Sequence, residues 1–348
     1  VNRRTCLLSL AAVVTAASAP GCVSFHAGAI PGAPKGATFV ELAGTRVHYV
    51  DEGEGPVVVL IHGFASSIGA WSGIRKALAG KFRVVALDLK GFGHTSRPEG
   101  DYSPKAQAEL VLALLDARGV TEPVALVAHS WGSSVALEVA LAAPKRVERI
   151  ALYDAWVYHD QLPNFFLWAR ADGLGEALVG AFYDQRADEK IAGAFYDRSY
   201  VTEALVETVE DQLSRPGTKA AALAAIRGQR FDEVEGKYKT IAQPTLLLWG
   251  REDKVTTLEY GERLSKDLPN AKLLVYPQCG HFPMIEAVRP STRDLLAFLS
   301  EAKATPAAPP APAAPPSPAP VPADPEAPKD EPSEPARGED AASEGRRR

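Results

Sequence analysis

Cysteine is scarce. The 348 residues include three, Cys6, Cys22 and Cys279, too few for a disulfide framework and too far apart for a cysteine-rich zinc site. Basic charge is not in excess either. Lys+Arg number 38 against 43 Asp+Glu, a net charge of −5, which gives no footing for binding nucleic acid by counterion release. The apolar run near the N-terminus, Leu7 to Ala17, is shorter than the roughly 20 residues a membrane span needs. Metal-ligand spacing such as H-E-x-x-H does not occur, so no metal and no cofactor are expected. What the chain does have is 46% hydrophobic residues, enough to bury a sizeable core in one large α/β domain or two ordinary ones.

Both ends depart from this average. Arg3 and Arg4 precede an uncharged run from Thr5 to Pro34, the pattern of an export signal over residues 1–21. Ala19-Pro20-Gly21-Cys22 resembles a bacterial lipoprotein box, with Cys22 as the lipidated first residue and residues 22–36 as a linker. The competing reading cuts after Ala17-Ser18-Ala19 and leaves Pro20 first. The Arg pair also loosely resembles a twin-arginine signal. The expected location is the cell envelope, with the membrane as partner through a lipid anchor. At the other end, residues 303–348 hold 13 of the 28 prolines and almost no large apolar side chain. Such a stretch cannot offset its ordering entropy and is expected to be a disordered, polyproline-like tail.

Between the ends, residues 37–302 alternate short apolar runs with helical patterns. Strands are predicted at Thr38–Leu42, Thr45–Asp51, Pro56–Ile61, Phe82–Leu87, Pro123–Ala128, Val147–Tyr153, Pro244–Trp249 and Ala271–Tyr276. Helices are predicted at Ala70–Ala79, Pro104–Arg118, Gly132–Ala142, Leu258–Asp267 and Ser291–Glu301. Alternation of this kind predicts an α/β fold with a mostly parallel eight-stranded sheet flanked by helices. The first two strands, joined through Ala43-Gly44, read as an antiparallel hairpin at one edge. Residues 155–236 break the rhythm. They read as a helical cap insertion, and they hold 11 of the chain's 27 aromatics. Trp156, Phe165, Phe166 and Trp168 are candidates to wall an apolar substrate pocket.

The chemistry begins at Ala128-His129-Ser130-Trp131-Gly132. A serine between an apolar strand and a helix resembles a nucleophile elbow, G-x-S-x-G, with Ala128 at the first small position. A helix N-cap serine would look similar. The surrounding motifs decide between the two. His62-Gly63-Phe64 follows the third strand. Asp88-Leu89-Lys90-Gly91-Phe92-Gly93-His94-Thr95-Ser96 follows the fourth. Trp249-Gly250-Arg251-Glu252-Asp253 follows the seventh, and Gly280-His281-Phe282 the eighth. Together these resemble the α/β-hydrolase superfamily from Thr38 to Ser300, in the family order serine, acid, histidine.

The resemblance implies roles. Ser130 would be the nucleophile, His281 the base, and Asp253 the acid that orients His281. Backbone N–H groups of Phe64 and Trp131 would stabilise the oxyanion, at about 3 kcal/mol per donor. Asp154, after the sixth strand, is a competing acid or a cap-hinge residue. His62 and His129 are expected to support loops. His26, His48, His94 and His159 are expected at the surface or behind the site, and Cys279 as packing.

Serine at the elbow argues against the related haloalkane dehalogenases and epoxide hydrolases, which place Asp there. The expected function is cleavage of a small-molecule carboxylic ester with an apolar acyl or aryl group. Carbon–carbon bond hydrolysis of ring-cleavage products and cofactor-free haloperoxidase-like chemistry are alternatives within the family. Outside enzymes, the alternative is a ligand-binding receptor or scaffold with a slow triad.

Overall fold

The computed structural model describes residues 23–183 and 186–301. Cys22, the export segment and the Pro-rich tail lie outside the described residues. Eight strands form one sheet: β1 (Thr38–Leu42), β2 (Thr45–Glu52), β3 (Val57–Ile61), β4 (Arg83–Leu87), β5 (Val124–His129), β6 (Val147–Tyr153), β7 (Thr245–Gly250) and β8 (Ala271–Tyr276). Their order is β1-β2-β4-β3-β5-β6-β7-β8. β1 pairs antiparallel with β2, and β2 with β4; every later pairing is parallel. The hairpin sits at the edge because Ala43 and Gly44 both adopt positive φ, 47° and 75°, which suits a tight two-residue turn.

Continuous apolar runs make the central strands because both faces are covered. Val59 and Ile61 point into one core with Leu126, Ala128, Val135 and Trp249. Val58 and Leu60 point into the other with Trp71, Ile74, Val127 and Leu295. Helices Pro104–Ala117, Gly132–Ala142 and Leu258–Asp267 supply the first face, and Ser72–Ala79 and Val288–Leu299 the second.

Two helices differ from expectation. The segment at Ala70 begins as a 3-10 turn, Ile68–Trp71, capped by the Ser67 hydroxyl, and becomes α-helical at Ser72. The last helix starts at Val288, ahead of Ser291. Pro290 falls within its first turn, where a missing N–H costs no helical bond. The insertion after β6 contains helices Asn164–Trp168, Leu174–Tyr183, Ala187–Ala192, Glu203–Ser214 and Thr218–Gly228 and, among the described residues, no strand. No helix among the described residues is long and apolar enough to cross a membrane.

Candidate active site

The site forms where β3, β5, β6, β7 and β8 end, the edge at which parallel sheets leave a crevice. At the end of β5 the chain turns sharply into the helix Gly132–Ala142. Ser130 holds the turn with φ of 52°. This strained conformation is fixed by its N–H donating to Tyr153 O at 2.9 Å and its carbonyl accepting from Ser133 N at 2.9 Å and Trp156 N at 3.1 Å. The turn needs a small residue at 132, since a Cβ on Gly132 would lie 2.4 Å from His62 O. Ser130 is therefore not the helix N-cap; Trp131 occupies that position.

Three residues distant in sequence converge. His281 Nε2 lies 3.0 Å from Ser130 Oγ, and His281 Nδ1 lies 2.7 Å from Asp253 Oδ2. All three side chains are buried. With Nδ1–H donating to Asp253, Nε2 is free to accept the serine proton. Burial alone would raise the Asp253 carboxyl. The charge of His281 and hydrogen bonds from His281, Thr256 and Val255 outweigh it and hold the group below the usual range.

Asp154 stands nearby in a different state. It has φ of 43° and accepts from Gly250 N at 2.9 Å through Oδ1, while Oδ2 meets no donor among the described residues. Burial and then the charge of Asp253 push its carboxyl well above the ordinary range, against the Gly250 amide. Asp154 does not hydrogen-bond His281. It ties β6 to β7, as a hinge residue would. Among the described residues, Asp154, Asp253 and His281 are also the group whose ligand atoms could surround a cation, within 4.8 Å of one another. A metal there would have to break the 2.7 Å bond between His281 and Asp253.

The loop histidines brace the site. His62 Nδ1 pairs with Gly63 O at 2.7 Å, and its Nε2 accepts from Leu89 N at 3.0 Å, joining two of the loops. His129 Nε2 donates to His281 O at 2.8 Å. Burial, and next the charge of His281, hold His129 well below the ordinary histidine range, so it is neutral. His48 and His94, expected at the surface or behind the site, are both buried. Asp88 binds His48 Nδ1 at 2.7 Å, His94 N at 2.8 Å and Ile68 N at 2.7 Å, which fixes the Asp88–Ser96 loop. Burial pushes the Cys279 thiol up, which makes it a poor nucleophile.

Among the described residues, neither Phe64 N–H nor Trp131 N–H takes part in the backbone hydrogen bonds of the surrounding turns. The Phe64 ring packs 6.0 Å from Trp131 and 5.7 Å from Phe166, and Phe166 lies 5.8 Å from Trp156 and 5.2 Å from Phe165. Trp156, Phe165 and Phe166 thus cluster with Phe64. Trp168 does not; it is 59% exposed. Two positions along a helix from Phe166, it faces away from that cluster. Among the described residues, the buried indole N–H groups of Trp131 and Trp156 have no partner.

Sequence reasoning missed Thr256. Its hydroxyl donates to Asp253 Oδ2 at 2.6 Å, and its N–H donates to Oδ1 at 3.1 Å, alongside Val255 N at 2.7 Å. The signal was present, since an Asp followed two and three residues later by N–H donors is an Asx turn.

A family profile for the alpha/beta hydrolase fold matches residues 56–288. The chain is 31% identical over 289 residues to a 2-hydroxymuconate semialdehyde hydrolase of Pseudomonas putida, covering 75% of this chain and 93% of that one. It is 32% identical over 267 residues to a 2-hydroxy-6-oxo-2,4-heptadienoate hydrolase of the same species, covering 74% and 92%. Among solved structures it is similar to a meta-cleavage product hydrolase of Pseudomonas fluorescens, with TM-score 0.65, 27% identity, and coverage of 75% and 97%. A small-molecule substrate and hydrolytic chemistry fit this company. The sheet order, the strained serine between β5 and its helix, and the profile match agree: the chain belongs to the α/β-hydrolase fold family.

Proposed function

We propose that the chain is a serine hydrolase that breaks the carbon–carbon bond beside a ketone in a ring-cleavage-type 2-hydroxy-6-oxodienoate, through an acyl-Ser130 intermediate. The observation that carries this reading is the likeness to two curated hydrolases of such compounds over nearly their whole length. The geometry supplies the steps. His281 takes the Ser130 proton as Oγ attacks C6, and the Phe64 and Trp131 N–H groups hold the oxyanion. With the substrate in its 2-keto form, protonated at C5, the C5–C6 electron pair leaves as a dienolate delocalised to the C2 oxygen. The imidazolium of His281 returns a proton to it. His281 then deprotonates a water, which releases the acyl group as a carboxylic acid and restores Ser130. The aromatic cluster of Phe64, Phe166 and Trp156 suits a flat conjugated chain.

A second reading, carboxylic ester hydrolysis, draws on one observation: the Ser130–His281–Asp253 hydrogen-bond relay performs acyl transfer from an ester by the same attack and deacylation steps. The test compares 2-hydroxy-6-oxohepta-2,4-dienoate with p-nitrophenyl esters of graded chain length. The dienoate is expected to give kcat/KM at least about tenfold higher. Ser130→Ala is expected to abolish both activities by several orders of magnitude while keeping the fold. Faster ester turnover selects the second reading. No turnover of either, with Ser130 unlabelled by a fluorophosphonate, overturns both.

We further propose export with acylated Cys22 as the first residue, supported by the Arg3-Arg4 pair, the Leu7–Ala17 run and the box ending at Cys22. Intact mass of membrane-extracted protein tests it; retention of Val1 or a start at Pro20 overturns it.

A further inference from the structure

Glu286 closes the short helix Pro283–Glu286, five residues after His281. Its carboxylate gathers backbone N–H groups from two separate stretches of chain. Oε1 accepts from Gly280 N at 2.8 Å, in the loop that carries the histidine. Oε2 accepts from Tyr196 N at 2.9 Å and Asp197 N at 3.0 Å, in the cap. Beside this junction the His281 N–H itself donates to Ala194 O at 2.7 Å. The Phe195 ring stacks on Phe282, with centroids 4.8 Å apart and planes at 24°. The two stretches pass so closely that a Cβ on Gly280 would lie 2.4 Å from Ala194 O and 2.7 Å from Tyr196 N.

We propose that Glu286 is a positioning residue that makes docking of cap segment 194–197 and placement of His281 a single event. The inference rests on reading Ser130 and His281 as nucleophile and base. A carboxylate suits the task, because it alone among side chains of this length presents two proton-free oxygens to three converging donors. The His281 backbone is held from two sides, by Ala194 of the cap on its N–H and by His129 on its carbonyl. If the cap segment lifts, Glu286 loses two of its three donors and the His281 N–H loses its acceptor. The ring then keeps its contacts to Ser130 and Asp253 on a backbone anchored at one side. Closing the cap over a substrate thereby completes the base, in the manner of lids that assemble a site as they shut.

Glu286→Gln keeps the size but leaves one acceptor oxygen and turns an amide N–H toward backbone donors. It is expected to lower kcat by about tenfold or more while KM moves by less than about threefold. Fluorophosphonate labelling of Ser130 should slow with kcat. Hydrogen exchange at the Tyr196, Asp197 and His281 amides should speed up together, while the β5 amides stay protected. Gly280→Ala, which forces the two stretches apart and leaves Glu286 in place, should reproduce this pattern. A Glu286→Gln protein with kcat within about twofold of wild type, or with unchanged exchange at those three amides, overturns the proposal, even if its melting temperature is lower. If wild-type Ser130 fails to label, the hydrolase reading falls, and the three amides still decide whether Glu286 joins cap to loop.

Discussion

Asp154 and Asp253 bring carboxyl oxygens within 4.8 Å of each other in a buried space, and their surroundings push the two carboxyls in opposite directions. Asp253 is the charged one, with His281, Thr256 and two backbone amides around it. Asp154 is pushed toward its protonated form, buried beside it with one oxygen that meets no donor among the described residues. Two carboxylates this close resist ionising together, so the environment favours Asp253 as the ion and Asp154 as the acid.

This assignment separates two isosteric substitutions. Asp253→Asn presents an amide N–H to His281 Nδ1–H and stabilises the wrong tautomer. In a comparable triad that change costs ~10⁴ in kcat. Asp154→Asn keeps an oxygen for Gly250 N and offers an N–H where the neutral acid carries its proton, so kcat should stay within about fivefold of wild type. Steady-state kinetics at matched folded yield checks the pair. Greater damage from Asp154→Asn would transfer the acid role to Asp154.

The same assignment fixes a pH dependence. The Asp154 carboxyl is raised in the folded state above its ordinary 3.8. Below that value both states are protonated and its contribution is intact. As pH rises, the unfolded chain releases the proton and the folded one retains it, so stability drains until the folded value is passed. Asp154→Asn has no proton to lose. Its melting temperature relative to wild type should therefore climb between pH 4 and pH 8. Thermal melts across that range test the sign. A gap that is flat or shrinks with pH would mean Asp154 is ionised in the fold.

Much of this arrangement was legible in the chain because it is written locally. The runs Val57–Ile61 and Val124–Ala128 are apolar at every position and read as strands covered on both faces. Ser130, Asp253 and His281 each sit in a loop whose neighbours announce it. The rest depends on contacts between distant segments. Nothing next to Glu286 in sequence reveals that Tyr196 and Asp197 will point their amides at it. The preference for Asp253 over Asp154 rested on motif context, whereas the physical reason, unequal desolvation and unequal donors, exists only in the folded protein. Trp168, which is exposed, was not separable from its neighbours by sequence. Aromatic content in the cap marked the segment but not the side of a five-residue helix that faces inward.

Gly132 offers a steric test of the elbow. A Cβ there would stand 2.4 Å from His62 O and 2.6 Å from Ile61 O. Both are backbone atoms at the end of a central strand and cannot swing aside. Gly132→Ala should therefore destabilise by about 2 kcal/mol, within the usual cost of overpacking. It should also depress kcat in the fraction that folds, because the strain separates Ser130 from the Phe64 amide. Denaturant titration and kcat per folded molecule read the two effects. Wild-type values for both would mean that β3 and the elbow are not held this closely.

The aromatic wall makes the last distinction. Phe166 stands between Phe64 and Trp156, at 5.7 and 5.8 Å, while Trp168 is largely in solvent. A fully buried phenyl group contributes roughly 1.5–3 kcal/mol, and a bulky acyl group seated against it would lose part of that contact. Phe166→Ala should therefore lower kcat/KM for substrates with long or aryl acyl groups by about tenfold, since 1.4 kcal/mol is one decade. An acetyl group offers little apolar surface to the ring and should be affected far less. Trp168→Ala should leave the whole series within about twofold. The measurement is kcat/KM for both variants across acyl groups of graded length. A uniform loss for Phe166→Ala at every length would make that ring a brace for Phe64 and the oxyanion loop. A length-dependent loss for Trp168→Ala would place the acyl group on the outer side of the helix Asn164–Trp168, against the burial pattern.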